Sequence, residues 1–207
     1  LGVGDAWRDV AWGLAPALAL AVVARLARQA AWPVAPDPRA YLVVGAIPLA
    51  AWMLAWTLAV GIGSAADPAP LPYVPLANPV DLGVGFVAVA LVAWLRTMAR
   101  EGIDLRAPRA ALAALAAALA FLWIDATVLR TLHHWLGIDW SLPAMWRSTL
   151  VQTVLSILWA GIALAAMVAA NRRAAYAPWI AGAVLLGLVV LKLFVIDLSS
   201  IGAIERI

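Results

Sequence analysis

The chain has 207 residues, 66% of them hydrophobic and only 12% charged, whereas a soluble domain carries about 25% charged residues. Its mean hydropathy of +0.98 is that of a chain solvated by lipid, and its apolar stretches leave no room for a soluble domain. There is no cysteine, which excludes a disulfide framework and thiolate metal sites; the net charge of +3 comes from arginines whose positions speak of membrane topology rather than nucleic acid.

A transmembrane helix needs roughly 20 mostly apolar residues. Six such stretches follow one another, so the expected fold is all-α, a single transmembrane domain over 1–207 built as a bundle of about six spans. Leu1 is not a Met, and the opening Asp5, Arg8 and Asp9 lack the positive charge of a signal peptide. The chain therefore reads as a piece of something longer. The first span is expected over about 10–29, with Pro16 in its early turns, where a missing N–H costs least. A proline-rich loop leads to the second, 40–62, in which Pro48 predicts a kink. Residues 64–79 hold five prolines and no Lys or Arg, which makes a stiff connector outside the hydrocarbon.

The third span is expected over 81–100, with Asp81 as an N-terminal cap or first-turn carboxylate. The fourth, 110–132, opens with AALAALAAALA, a small-sided run suited to close helix packing. The fifth, 144–170, carries Ser148, Gln152 and Ser156 at i+4 spacing as one polar stripe. The sixth, 178–198, offers Ala183 and Gly187 as a small-residue contact patch. If the spans alternate, one side holds Arg25, Arg28, Arg39, Arg96, Arg100, Arg106, Arg109, Arg172 and Arg173, nine of the fourteen basic residues. The other side holds Arg8, Arg130, Arg147 and Arg206. By the positive-inside rule the first side is cytoplasmic, and both termini face outward.

The stretch from Trp123 to Arg147 concentrates the candidate chemistry. It gathers Asp125, Arg130, His133, His134, Asp139 and Arg147 among Trp123, Trp135, Trp140 and Trp146. Charges inside the hydrocarbon cost about 2.5–3.5 kcal/mol on insertion scales, which makes Asp125 and Lys192 functional candidates. At 1.5 Å per residue both lie roughly 21–23 Å from the cytoplasmic ends of their helices, and Gln152 falls near that level. A buried polar group of Asp125, Lys192 and Gln152 is thus allowed, as a structural ion pair or as a proton or substrate relay, the alternative being charges that snorkel unpaired to the interface. His133 and His134 with Asp139 are the candidate catalytic residues, since a carboxylate can orient an imidazole that titrates near neutral pH. Arg130, Trp135, Trp140, Trp146 and Arg147 form the expected outer-face surface, either a plain interfacial aromatic belt with polar anchors or a glycan or headgroup site. Gly137 should end the fourth helix, and Asp139 or Ser141 should cap a short turn, so that Trp135 to Trp146 form an ordered interfacial segment. Adjacent histidines on a helix point about 100° apart, which argues against a shared metal or haem. No phosphate-cradling glycine loop, HExxH or GxSxG is present, so neither metal nor cofactor is expected.

At LPYVPLANPVDL, VLRTLHHW, LSILWAGIALAAM and LKLFVIDLSSIGAIERI, over Leu71 to Ile207, the sequence resembles a family of large bacterial polytopic membrane proteins catalogued as domain of unknown function 2339. The resemblance implies the C-terminal part of a longer inner-membrane protein and brings no activity with it. The resulting expectation is a multi-spanning envelope protein that acts as scaffold, assembly partner or transport module. Its partners would be membrane lipids and other membrane proteins or further helices of its own chain, not nucleic acid. The alternative is a membrane enzyme acting on a lipid-linked or glycan substrate at the outer face.

Overall fold

The computed structural model describes residues 4–104 and 109–194; Arg106, Asp197, Glu205, Arg206 and the end of the sixth span lie outside them. The protein is an all-α polytopic membrane protein. Its helices are α1 (Asp5–Arg28), α2 (Ala46–Gly63), α3 (Pro79–Arg100), α4 (Arg109–Leu136), α5 (Leu142–Arg147), α6 (Thr149–Arg172) and α7 (Tyr176–Lys192), with a π-helical turn over Ala40–Gly45 running into α2. Among the described residues five stretches are long and apolar enough to cross a membrane: α1, the π turn with α2, α3, α4 and α6. The chain forms two compact units, divided after Trp140.

In the first unit α1 packs on α2 and α3, and α4 packs on α2. Lipid tails are as apolar as leucine, so burying apolar surface does not drive helices together in a bilayer; close approach over small residues and interhelical hydrogen bonds do. The core shows both devices. Ala6, Gly13, Ala17, Ala24 and Ala27 of α1 are buried. A methyl group on Gly13 would come within 2.6 Å of the Trp56 ring, and one on Gly83 within 2.5 Å of Val10. Around them Leu20, Leu42, Met53, Val87, Trp94 and Met98 fill the interior.

Proline directs the hydrogen bonds. α1 begins at Asp5 rather than near Val10, so Pro16 falls inside the helix and not in its first turns. Its missing N–H releases the carbonyl four residues back, that of Trp12, and the Trp52 indole donates to this oxygen at 3.0 Å. Pro48 lies in the first turn of α2 and releases Val44, inside the π turn. There the Trp94 indole donates to the Leu42 carbonyl at 2.9 Å.

In the second unit α6 and α7 form an antiparallel hairpin whose loop passes through Ala174 at positive φ. The hairpin closes around Gly182, where an added methyl would meet Met167 Cγ at 2.7 Å and the Ala163 carbonyl at 2.8 Å. The expected patch at Gly187 is not the contact. Gly187 is exposed with nothing within 4 Å of an added methyl, while Ala183 is half-buried. The register follows Gly182 because its neighbour is helix backbone, which only glycine lets come so close.

Candidate functional site

In the first unit the N-termini of α1 and α3 and the C-termini of α2 and α4 lie at one end, since Trp56 and Ser64 reach Asp9 and Arg130 reaches Asp81. α3 starts with a cap: Asn78 Oδ1 accepts from the Asp81 amide at 3.0 Å, and Pro79 follows as first helical residue. Asp81 sits in the first turn, where the helix dipole favours a carboxylate. Its Oδ2 accepts from Asn78 Nδ2 at 2.5 Å and from the Leu76 amide at 3.2 Å. Its Oδ1 accepts from Arg130 Nη1 at 2.9 Å and Trp123 Nε1 at 3.1 Å.

Arg130 was expected on the outer-face surface; the structure buries it instead, with 1% of its side chain exposed and Asp81 fully covered opposite. Its other nitrogens reach the end of α2, Nη2 donating to the Val60 carbonyl at 2.6 Å and Nε to that of Ser64 at 3.0 Å. One guanidinium thus ties the carbonyl end of α2 to the first turn of α3. The planar fork of arginine is what lets one cation serve three acceptors. Among the described residues no buried side-chain polar atom is without a partner, which is what a buried charge pair requires to be tolerated.

Both histidines are held by backbone. His133 Nδ1 lies 2.6 Å from the Ile138 carbonyl and His134 Nε2 2.9 Å from that of Ala65, so each of these nitrogens carries its proton and donates. His134 stacks on Tyr73 with ring centroids 4.2 Å apart, and burial raises the pKa of the Tyr73 phenol above its ordinary value. Asp139 is exposed and, among the described residues, bonds to neither imidazole. The expected acid/base pair is therefore not assembled. The histidines fasten α4 to its own C-terminal turn and to the connector.

Gly137 ends α4 at a φ of +68°, and Ser141, not Asp139, caps α5 by accepting from the Ala144 amide. Trp135, Trp146 and Arg147 are exposed, whereas Trp140 is half-buried. Of the expected buried group, Lys192 meets Gln152 at its main chain: Nζ donates to the Gln152 backbone carbonyl at 2.9 Å and to Ser156 Oγ at 2.8 Å, while the Gln152 side-chain amide donates to the Met145 and Trp146 carbonyls at 3.3 Å. Lys192 also lies 5.7 Å from the centre of the Trp159 ring. Asp125 belongs to the first unit and is half-buried on α4. Ser148 leaves the stripe to cap α6, accepting from the Val151 amide.

A groove of about 740 Å³, missed in the sequence, opens at this same end of the first unit. Asp5, Arg8, Asp9 and Trp12 of α1, Trp52 and Trp56 of α2, Ser64 to Asp67 of the connector and Trp140 line it. The signal available was the spacing of Trp52 and Trp56 one turn apart on α2 and of Asp5, Asp9 and Trp12 on one stripe of α1. What hid it was that the two stripes lie some 40 residues apart in the chain.

No curated protein and no solved structure matches the chain. A family model described as predicted membrane protein, DUF2339, does match, and it covers residues 2–207, taking in the first 70 residues that the motifs alone did not reach. The chain therefore belongs to this family of predicted membrane proteins, DUF2339.

Proposed function

We propose that the chain is a scaffold and assembly module of a bacterial inner membrane, one that packs against further transmembrane helices. The observation that carries this reading is the first half of α4. Ala110 to Ala120 are almost wholly exposed, whereas from Leu122 onward α4 meets α2, Leu122 packing on Gly61 and Arg130 reaching Val60. An alanine face is a poor lipid surface and a good helix surface, because small side chains let backbones approach closely. The saturated clamp of Asp81 and Arg130 supports scaffold over transport, since a relay needs groups free to exchange partners. In the full-length protein, a photocrosslinker attached at Ala114→Cys or Ala118→Cys should capture another helix, while one at Val89→Cys, on the exposed face of α3, should capture lipid. Lipid adducts at all three positions would sink the reading.

The arginine asymmetry supports an orientation in which the end bearing the groove faces outward. Leu71 and Ala174 are both exposed, and cysteines placed there should label from opposite sides of sealed vesicles, Leu71 from outside. Labelling of both from one side would overturn six crossings. An enzyme on a lipid-linked or glycan substrate is the second reading. Only the outward groove favours it, because His133 and His134 are committed to backbone carbonyls.

A further inference from the structure

We infer that the groove between α1 and α2 is a binding site for an organic ammonium group. What it offers a ligand is one-sided. The Trp52, Trp56 and Trp140 indole N–H groups are all spent inside the protein, on the carbonyls of Trp12, Asp9 and Gly63. The Ser64 hydroxyl is spent on Asp9 Oδ2 at 2.7 Å. Arg8, the single cation among the described lining residues, is bridged to Asp5 at 3.1 Å and to Asp9 at 3.7 Å. Three carboxylates, those of Asp5, Asp9 and Asp67, thus stand against one guanidinium.

The rings stand open beside them. Trp12 is 62% and Trp52 50% exposed, their centroids 6.2 Å apart and their planes inclined at 52°. Indole faces are negative at the centre, and a cation within about 6 Å of a ring centroid is attracted to them. Tilted tryptophan faces beside an excess of carboxylates fit an alkylammonium. They fit a phosphate badly, because three carboxylates outnumber the one guanidinium beside them. One of the two rings is also held in place before any ligand arrives: the hydrogen bond that Pro16 makes available at the Trp12 carbonyl fixes Trp52, which reduces the ordering left to the binding step. The volume lies within the range of small-molecule sites.

An ammonium can come from a zwitterionic lipid headgroup or from a free amine, and the test separates the two. The full chain is placed in phosphatidylglycerol nanodiscs and titrated with choline and, separately, with 3,3-dimethylbutan-1-ol, its uncharged isostere. Choline is expected to bind at least roughly tenfold more tightly. Trp12→Leu and Asp5→Asn, both at exposed positions, should each weaken choline several-fold, and Trp12→Phe should restore most of the loss. In phosphatidylcholine discs, a weaker apparent affinity for choline means that the headgroup competes and is the natural source. An unchanged affinity means a free amine is. Equal binding of the isostere, binding of maltose without choline, or indifference to Trp12→Leu would each overturn the site.

Discussion

Replacing Arg130 with methionine should destabilise the first unit by about 3–5 kcal/mol, the range for breaking a buried ion pair from one side. The change strands the Asp81 carboxylate, which is fully covered, and it also strips the Val60 and Ser64 carbonyls of a donor. Arg130→Lys should recover only part of the loss, because an ammonium on a flexible stem cannot fork to an oxygen on α3 and two at the end of α2. The double variant Arg130→Met, Asp81→Asn should lose less than the two single losses added together, since it leaves no unpaired charge behind. Thermal unfolding in detergent, followed by circular dichroism, measures all four. A single Arg130→Met that melts with the unmodified protein would mean that the clamp contributes nothing to stability.

Gly182→Leu and Gly187→Leu should differ sharply although they lie five residues apart on one helix. At Gly182 the new side chain would meet the Ala163 carbonyl and Met167, and helix backbone cannot yield, so α6 and α7 would have to separate. Overpacking of this kind costs about 1–3 kcal/mol and occasionally more. The separation should also pull Lys192 from Gln152 and Ser156. At Gly187, where an added methyl finds nothing within 4 Å, leucine should be neutral or slightly stabilising, because glycine is a poor helix former. A temperature scan of both variants decides. Equal losses would place the contact face elsewhere on α7.

The glycine contrast shows why parts of this fold were legible and others were not. A helix in lipid is apolar all round, so the period of its hydrophobic residues marks no inward face. Ala183 and Gly187 form as good a small-residue pair in sequence as any pair containing Gly182, and only the register of α6 on α7 selects between them. The same holds for Arg130: its position near the end of α4 suggested an interfacial anchor, and nothing local distinguishes an arginine that reaches the surface from one that turns inward to α2 and α3. Asp81 was readable as a first-turn carboxylate because that is a local property of the helix start. That its partner is Arg130, 49 residues on, was not.

The sequence by itself determined the class of the protein. Apolar stretches of transmembrane length with prolines and glycines at their ends follow from lipid solvation and helix geometry, which act on each segment alone. Tertiary structure decided everything that needs two segments at once: the burial of Arg130, the fastening of both histidines to backbone and the tryptophan groove built from α1, α2, the connector and Trp140. The physical reason is the same in each case. In lipid the choice among helix faces is made by close backbone approach and by a few directional donors, chiefly indole and guanidinium, whose acceptors lie 40–77 residues away in the chain, beyond the reach of any periodicity.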